Sequence, residues 1–136
     1  MLKKKSKFTP GNFLFSVKRS RSGLGLFTND FIKKGQCIIE YIGREISEDE
    51  MYTSRSKYLF EINSKKTIDG SIKTNKARYI NHSCHPNCEI EIRKGRIYVM
   101  AKKNIKIGEE LSYDYEKEYF DEHIKPKGCR CKKCKK

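Results

Sequence analysis

The chain is expected to fold as a mainly β domain, and three features of its 136 residues carry that expectation. Apolar residues are gathered in short runs separated by turn residues, recurring roughly every 8–12 positions. Several of these runs are β-branched or alternate apolar with charged side chains, the period of a strand. Only one segment carries a clear helix start, so one or two short helices are all that the pattern allows.

The elements follow in order. Residues 1–11 are Lys-rich and end in Thr9-Pro10-Gly11, which reads as a loose basic arm. Residues 12–18 (NFLFSVK) form a short strand, followed by a Gly-punctuated turn, Arg21-Ser22-Gly23-Leu24-Gly25. Gln36 to Ile42 (QCIIEYI) has the composition of a buried strand. Ser47 with Glu50 three residues on is a capping-box start for a helix over 47–57. Residues 58–62 and 66–69 pair around Asn63-Ser64-Lys65. A second hairpin turns at Lys94-Gly95, with Ile90, Ile92, Ile97 and Val99 alternating along its arms. Residues 110–115 (ELSYDY) are the last strand, and from 116 the chain is polar and bears cysteines. The body is therefore placed at 12–117 and the tail at 118–136.

Charge and cysteine content narrow the classes. Thirty-one basic against 17 acidic residues leave a formal charge of +14, which favours acidic partners such as nucleic acid, anionic lipid or an acidic protein face. A Lys-rich composition also simply keeps a small protein soluble. No stretch approaches the roughly 18 apolar residues of a membrane span. The apolar run after the basic start is stopped by Lys18-Arg19, short of the roughly 7–15 residues of a secretory signal core, so an intracellular protein is expected. In a reducing compartment the six cysteines, at 37, 84, 88, 129, 131 and 134, read first as metal ligands.

Four segments carry candidate chemistry. Gly23-Leu24-Gly25 lets the backbone approach a ligand, since no Cβ stands in the way, although such a pair is also an ordinary turn. Tyr41, ending a buried strand, lines a pocket or packs in the core. Arg78-Tyr79-Ile80-Asn81-His82-Ser83-Cys84-His85-Pro86-Asn87-Cys88 is dense in hydrogen-bonding side chains. Its Asn presents donor and acceptor together, as needed to read an adenine edge. It reads equally as a structured polar loop, or as a metal site built on His82, His85, Cys84 and Cys88. Tyr113 and Tyr115 share one face of a strand by period-two spacing and present two hydroxyls to one pocket, or serve as plain sheet residues.

In combination, SGLGLF, YIGREI, NKARYINHSCHPNC, GEELSYDY and the terminal CRCKKC closely resemble the SET-domain protein-lysine methyltransferases, over roughly residues 13–134. The resemblance implies several small β-sheets around a knot-like C-terminal crossing that brings 78–84 against 110–115. It implies that S-adenosylmethionine is received by the backbone at Gly23, Leu24 and Gly25, with Asn81 and His82 holding it, Arg78 nearby and Tyr115 beside the methyl group. Tyr41, Tyr113 and Tyr115 are implied to line a lysine channel, with Tyr115 the catalytic tyrosine and Tyr113 limiting the product mainly to monomethyl-lysine. The tail is similar to a post-SET site, with Cys84, Cys129, Cys131 and Cys134 holding one structural zinc and Cys88 a competing ligand. The implied substrate is a histone, nucleosome or other basic chromatin or DNA-associated protein, with electrostatic contact to DNA. The enzyme would be a minimal, free-standing one of the viral or bacterial kind, acting in the nucleus or on the chromatin of its own or a host cell, or else in the cytoplasm. The alternative is a non-catalytic, zinc-stabilised basic module that binds chromatin or nucleic acid.

Overall fold

The computed structural model describes residues 7–21, 23–63 and 65–115. The expected tail (118–136) and its three cysteines lie outside the described residues. The described residues form ten short strands, one helix and one 3-10 turn: β1 (Phe15–Ser20), β2 (Gly23–Thr28), β3 (Cys37–Tyr41), β4 (Arg44–Ile46), α1 (Glu48–Thr53), β5 (Leu59–Asn63), β6 (Lys66–Asp69), the 3-10 turn Lys76–Tyr79, β7 (Asn81–His82), β8 (Cys88–Arg93), β9 (Arg96–Ala101) and β10 (Ser112–Tyr113). The strands pair into four small sheets, ordered β1-β2, β3-β9-β8, β4-β6-β5 and β7-β10. The mainly β expectation therefore holds, with one helix. Among the described residues no helix is long and apolar enough to cross a membrane.

The hairpin β8-β9 turns at Lys94 and Gly95, both at positive φ (52° and 75°). That conformation twists a two-residue connection to match its strands. Central β9 (RIYVMA) is buried at every position after Arg96, so it reads as a continuous apolar run between two partners. Leu26, Ile32, Ile38, Ile80, Ile97, Val99, Ile105 and Leu111 are each at most 1% exposed and make one core beneath all four sheets.

Three local expectations need correction. The helix is six residues long, not eleven. Ser47 caps it, its Oγ accepting the Glu50 N–H at 3.1 Å. However, Ser54 and Ser56 then turn their hydroxyls onto the N–H groups of Ser56 and Tyr58 (3.1 Å each), a local alternative to further helix. The arm is not loose over residues 7–11: Phe8 packs on Tyr98 (5.3 Å between centroids), and the Gly11 N–H donates to the Cys37 carbonyl at 3.0 Å. Gly23-Leu24-Gly25 is not a turn but the first half of β2, with Gly23 at φ 101° closing the β1-β2 connection.

The expected last strand over 110–115 shrinks to Ser112–Tyr113, because its partner β7 offers only two residues. The pairing is parallel, Ser112 with Asn81 and Tyr113 with His82, and the Ser83 N–H extends it to the Tyr113 carbonyl (3.2 Å). The two distant motifs therefore meet as expected. Any threading of the chain beyond residue 115 falls outside the described residues.

Candidate functional site

The site is built where β2, β7 and β10 converge. Asn81 stands at the centre: its Nδ2 donates to the Leu24 carbonyl (2.9 Å), to Glu110 Oε2 (3.0 Å) and to Ser20 Oγ (3.1 Å). One amide thus ties the Gly23–Gly25 strand to the last motif, across 57 residues on one side and 29 on the other. Open space surrounds Gly23, where an added Cβ would meet nothing within 4 Å, and the Leu24 side chain is half exposed. Gly25 is needed for a different reason. A Cβ there would run into the Glu110 carboxylate, so glycine leaves room for the acid that holds Asn81.

His82 is buried beside Asn81. Its Nδ1 accepts the Tyr115 N–H at 3.1 Å, which leaves the ring proton on Nε2, 3.4 Å from Cys84 Sγ. Asp114 Oδ1 lies 3.6 Å from Nδ1, beyond hydrogen-bonding distance, and Nδ1 has already committed its lone pair. Burial lowers the imidazole pKa and the Asp114 charge opposes this only in part, so His82 is held neutral. Tyr115 packs its ring edge-on to His82 (5.3 Å) and beside Tyr113 (4.9 Å). Its hydroxyl donates to the Ile80 carbonyl at 2.7 Å.

Tyr41 and Arg78 belong to a neighbouring cluster. The Tyr41 hydroxyl donates to the Tyr58 carbonyl (2.7 Å), and its ring lies against Phe60 and close over Gly70. Arg78 stacks on the rings of Tyr58 and Tyr79 (5.0 and 4.8 Å) and donates to the Tyr79 hydroxyl at 2.7 Å.

Two residues of structural weight were not singled out by the sequence. Asn87 Nδ2 donates to the Glu110 carbonyl (2.9 Å), while its Oδ1 accepts the Ser112 N–H (2.9 Å) and the Cys88 thiol (3.2 Å). It imitates a strand partner for 110–112. Glu110 is the second, as the acceptor for Asn81. Their positions inside HPNC and at the start of ELSYDY are the only signals the sequence offers.

The metal readings separate on geometry. Cys88 is 1% exposed, and burial pushes its thiol up to about 12. Among the described residues no three His, Cys, Asp or Glu side chains are grouped to hold a metal, which removes the site built on His82, His85, Cys84 and Cys88. Cys84 is exposed, at the edge of the site. Cys129, Cys131 and Cys134 lie outside the described residues.

Comparison with known proteins agrees with this geometry. Residues 23–116 match the SET domain family. The chain is 40% identical over 146 aligned positions to the histone-lysine N-methyltransferase trr of Drosophila melanogaster, covering 98% of this chain and 6% of that protein. It is 36% identical over 135 positions to the histone-lysine N-methyltransferase set1 of Dictyostelium discoideum, covering 88% of this chain and 9% of that protein. The chain thus spans less than a tenth of the length of either relative. Among solved structures it resembles ctPRC2 in an autoinhibited conformation bound to S-adenosylmethionine, with a TM-score of 0.71, 31% identity, and coverage of 78% of this chain and 15% of that one. A humanized mutant of the Chaetomium thermophilum Polycomb Repressive Complex 2 gives a TM-score of 0.69 and 32% identity, over 79% of this chain and 15% of that one. By its matched residues, its four small sheets and its Asn81-centred site, the chain belongs to the SET-domain family.

Proposed function

We propose that this chain is a protein-lysine N-methyltransferase that takes its methyl group from S-adenosylmethionine and acts on a histone or another basic chromatin protein, mainly to monomethyl-lysine. The observation that carries the reading is the convergence on one spot of an open glycine backbone, Asn81, a neutral His82 and two adjoining phenols. A purely nucleic-acid-binding module has no use for that combination.

The residues present fit the cosubstrate. Gly23, Leu24 and Gly25 would hold it along an uncovered backbone edge, with Asn81 and His82 beside them and Arg78 on the neighbouring wall. When bound, S-adenosylmethionine supplies an electrophilic methyl group on a positively charged sulfur. His82, kept neutral by burial, adds no second positive charge to the site. Tyr113 is 7% exposed and sits with Tyr115 and the buried His82. A lysine entering there, with a free pKa of about 10.4, is disfavoured as the ammonium by desolvation, so it gives up a proton to solvent and offers its lone pair. Tyr115 presents its hydroxyl oxygen, fixed by the bond to the Ile80 carbonyl, as an acceptor for weak C–H···O contacts. Tyr113 would hold a water beside the amine and so limit repeated transfer, while Tyr41 would form the outer channel wall. Holding amine and methyl in line accounts for much of the acceleration. Cys84 would join Cys129, Cys131 and Cys134 around a structural zinc that fastens the tail near the site.

The test is transfer of labelled methyl from S-adenosylmethionine to isolated histones, with products counted by mass spectrometry. One methyl per modified lysine is expected, with a loss of roughly 100-fold in Tyr115→Phe. Absence of both transfer and S-adenosylmethionine binding in the folded protein refutes the proposal.

A further inference from the structure

Away from the site, two loops are locked side by side. Ile32 and Ile105 exchange both backbone hydrogen bonds (2.9 and 2.8 Å), Gly35 and Ala101 continue the pairing, and the Lys34 N–H donates to Asn104 Oδ1 at 2.9 Å. The buried members, Ile32 and Ile105, are 0% exposed and anchor the pair to the core. The two segments read FIKKGQ (31–36) and AKKNIKIG (101–108), with five lysines (33, 34, 102, 103, 106) and no acidic residue. All five lysines are exposed, and none makes an ion pair among the described residues. The nearest acids in the chain, Asp30 and Glu109, are half-buried, and the Asp30 carboxylate is held by the Leu14 N–H at 2.6 Å. Gly35 and Gly108 (φ 89° and 90°) leave open ground around the lysines, where an added Cβ would meet nothing within 4 Å.

This face is also next to the site. The Lys102 N–H donates to the Asn87 carbonyl (2.9 Å), and Lys102 and Asp114 line the same groove. Asp114 is in turn 3.6 Å from His82.

We propose that the paired 31–36 and 101–108 face binds the phosphate backbone of double-stranded DNA without reading its sequence. Lysine ammoniums are compact donor-only charges suited to phosphates, and contacts to phosphates carry no sequence information. The backbone that carries these lysines is locked before binding, so ordering it does not oppose association. Phe31 and Ile107 are also exposed on this face, 47% and 70%, but two separated apolar side chains fall short of a membrane-inserting surface. On the proposed activity, and resting on it, the face holds nucleosomal DNA while a histone tail reaches the adjoining groove.

The test measures binding of the full chain to two labelled duplexes of unrelated sequence across a salt series. The quadruple variant Lys33→Glu, Lys34→Glu, Lys103→Glu, Lys106→Glu is compared with its Lys→Gln counterpart. Lys102 is kept because it lines the groove beside Asp114. Expected are equal affinities for the two duplexes, a loss of roughly tenfold or more in the Glu variant, and a log–log salt slope flatter by about 3–4, near 0.9 per lysine removed. The Gln variant, with an unchanged melting temperature, must move the same way by a smaller step. Methylation of nucleosomes should fall with DNA affinity while the rate on isolated histones stays put. Affinity and slope unchanged in both variants overturn the proposal. So does binding to phosphatidylserine vesicles, but not to duplex, that is lost in Phe31→Ser, Ile107→Ser. If the parent methylates no histone, the proposed activity fails, yet the duplex measurements still decide the surface.

Discussion

Replacing Asn87 by alanine removes three hydrogen bonds and leaves two main-chain groups, the Glu110 carbonyl and the Ser112 N–H, without the partners that hold 110–112 in place. An unmade bond at a buried polar group costs roughly 1–3 kcal/mol. Asn87, Glu110 and Ser112 are all only half-buried, so water recovers part of this, and the lower half of that range applies to each group. The sum is about 2–4 kcal/mol, and at about 3–5 °C per kcal/mol for a domain of this size the melting temperature falls by roughly 6–20 °C. Because the displaced segment carries Tyr113 and Tyr115, methyl transfer should fall by more than the loss of folded protein explains. Urea unfolding followed by circular dichroism gives the first quantity, and initial rates well below the melting point give the second. Asn87→Asp should not rescue either, since it keeps an acceptor for Ser112 but sets a carboxylate oxygen against the Glu110 carbonyl. A variant within about 0.5 kcal/mol of the parent, the range of an ordinary surface change, and with full activity would show that the 110–112 segment holds its place without Asn87.

Three further outcomes follow from the structure. Gly25→Ala should push Glu110 away from Asn81 and weaken S-adenosylmethionine binding by calorimetry, for a stability cost of only about 1–2 kcal/mol; unchanged affinity would remove the Asn81–Glu110 link from the cofactor site. Partial burial raises the Asp69 carboxyl, but hydrogen bonds from Ser56 Oγ (2.8 Å) and the Ser71 N–H (3.1 Å), helped by Arg44, outweigh it and hold the pKa below the usual range. Its stabilisation is then complete above the unfolded value of about 3.9 and is lost as pH falls from there through the lower folded value, so Asp69→Asn should lower stability at pH 7 and flatten the acid limb of the stability curve. Brief iodoacetamide treatment of the native protein should leave Cys37 and Cys88 unmodified by peptide mapping, since burial holds their thiols near 11 and 12; labelling of either would show that the core opens there.

What the sequence disclosed and what it hid divide along physical lines. The β8-β9 hairpin was legible because Lys94-Gly95 states the turn, and Ile97 and Val99 state the buried face. β3 was legible as a β-branched apolar run. The end of α1 was not, because Ser54 and Ser56 act through hydroxyl bonds that periodicity does not register. The β7-β10 pair is two residues long and parallel, too short for any alternation to appear. Within the site, the identities of Asn81, His82 and Tyr115 stood out as a motif. The work of Asn87 and Glu110 did not, because each serves a backbone or amide 23 or more residues away.

The Asn81 amide has a consequence for biosynthesis. Its three acceptors lie 61, 57 and 29 residues from it along the chain, so the site is made entirely of long-range closures. Each closure costs entropy that grows with the logarithm of the loop, and such contacts form late. On the ribosome, β1-β2 and β4-β6-β5 can pair as they emerge, but the Asn81 cluster has no third member until Glu110 is clear of the exit tunnel. Tyr115 follows five residues later, so a nascent chain carries its folded hairpins for some time before it has anywhere to bind a cosubstrate.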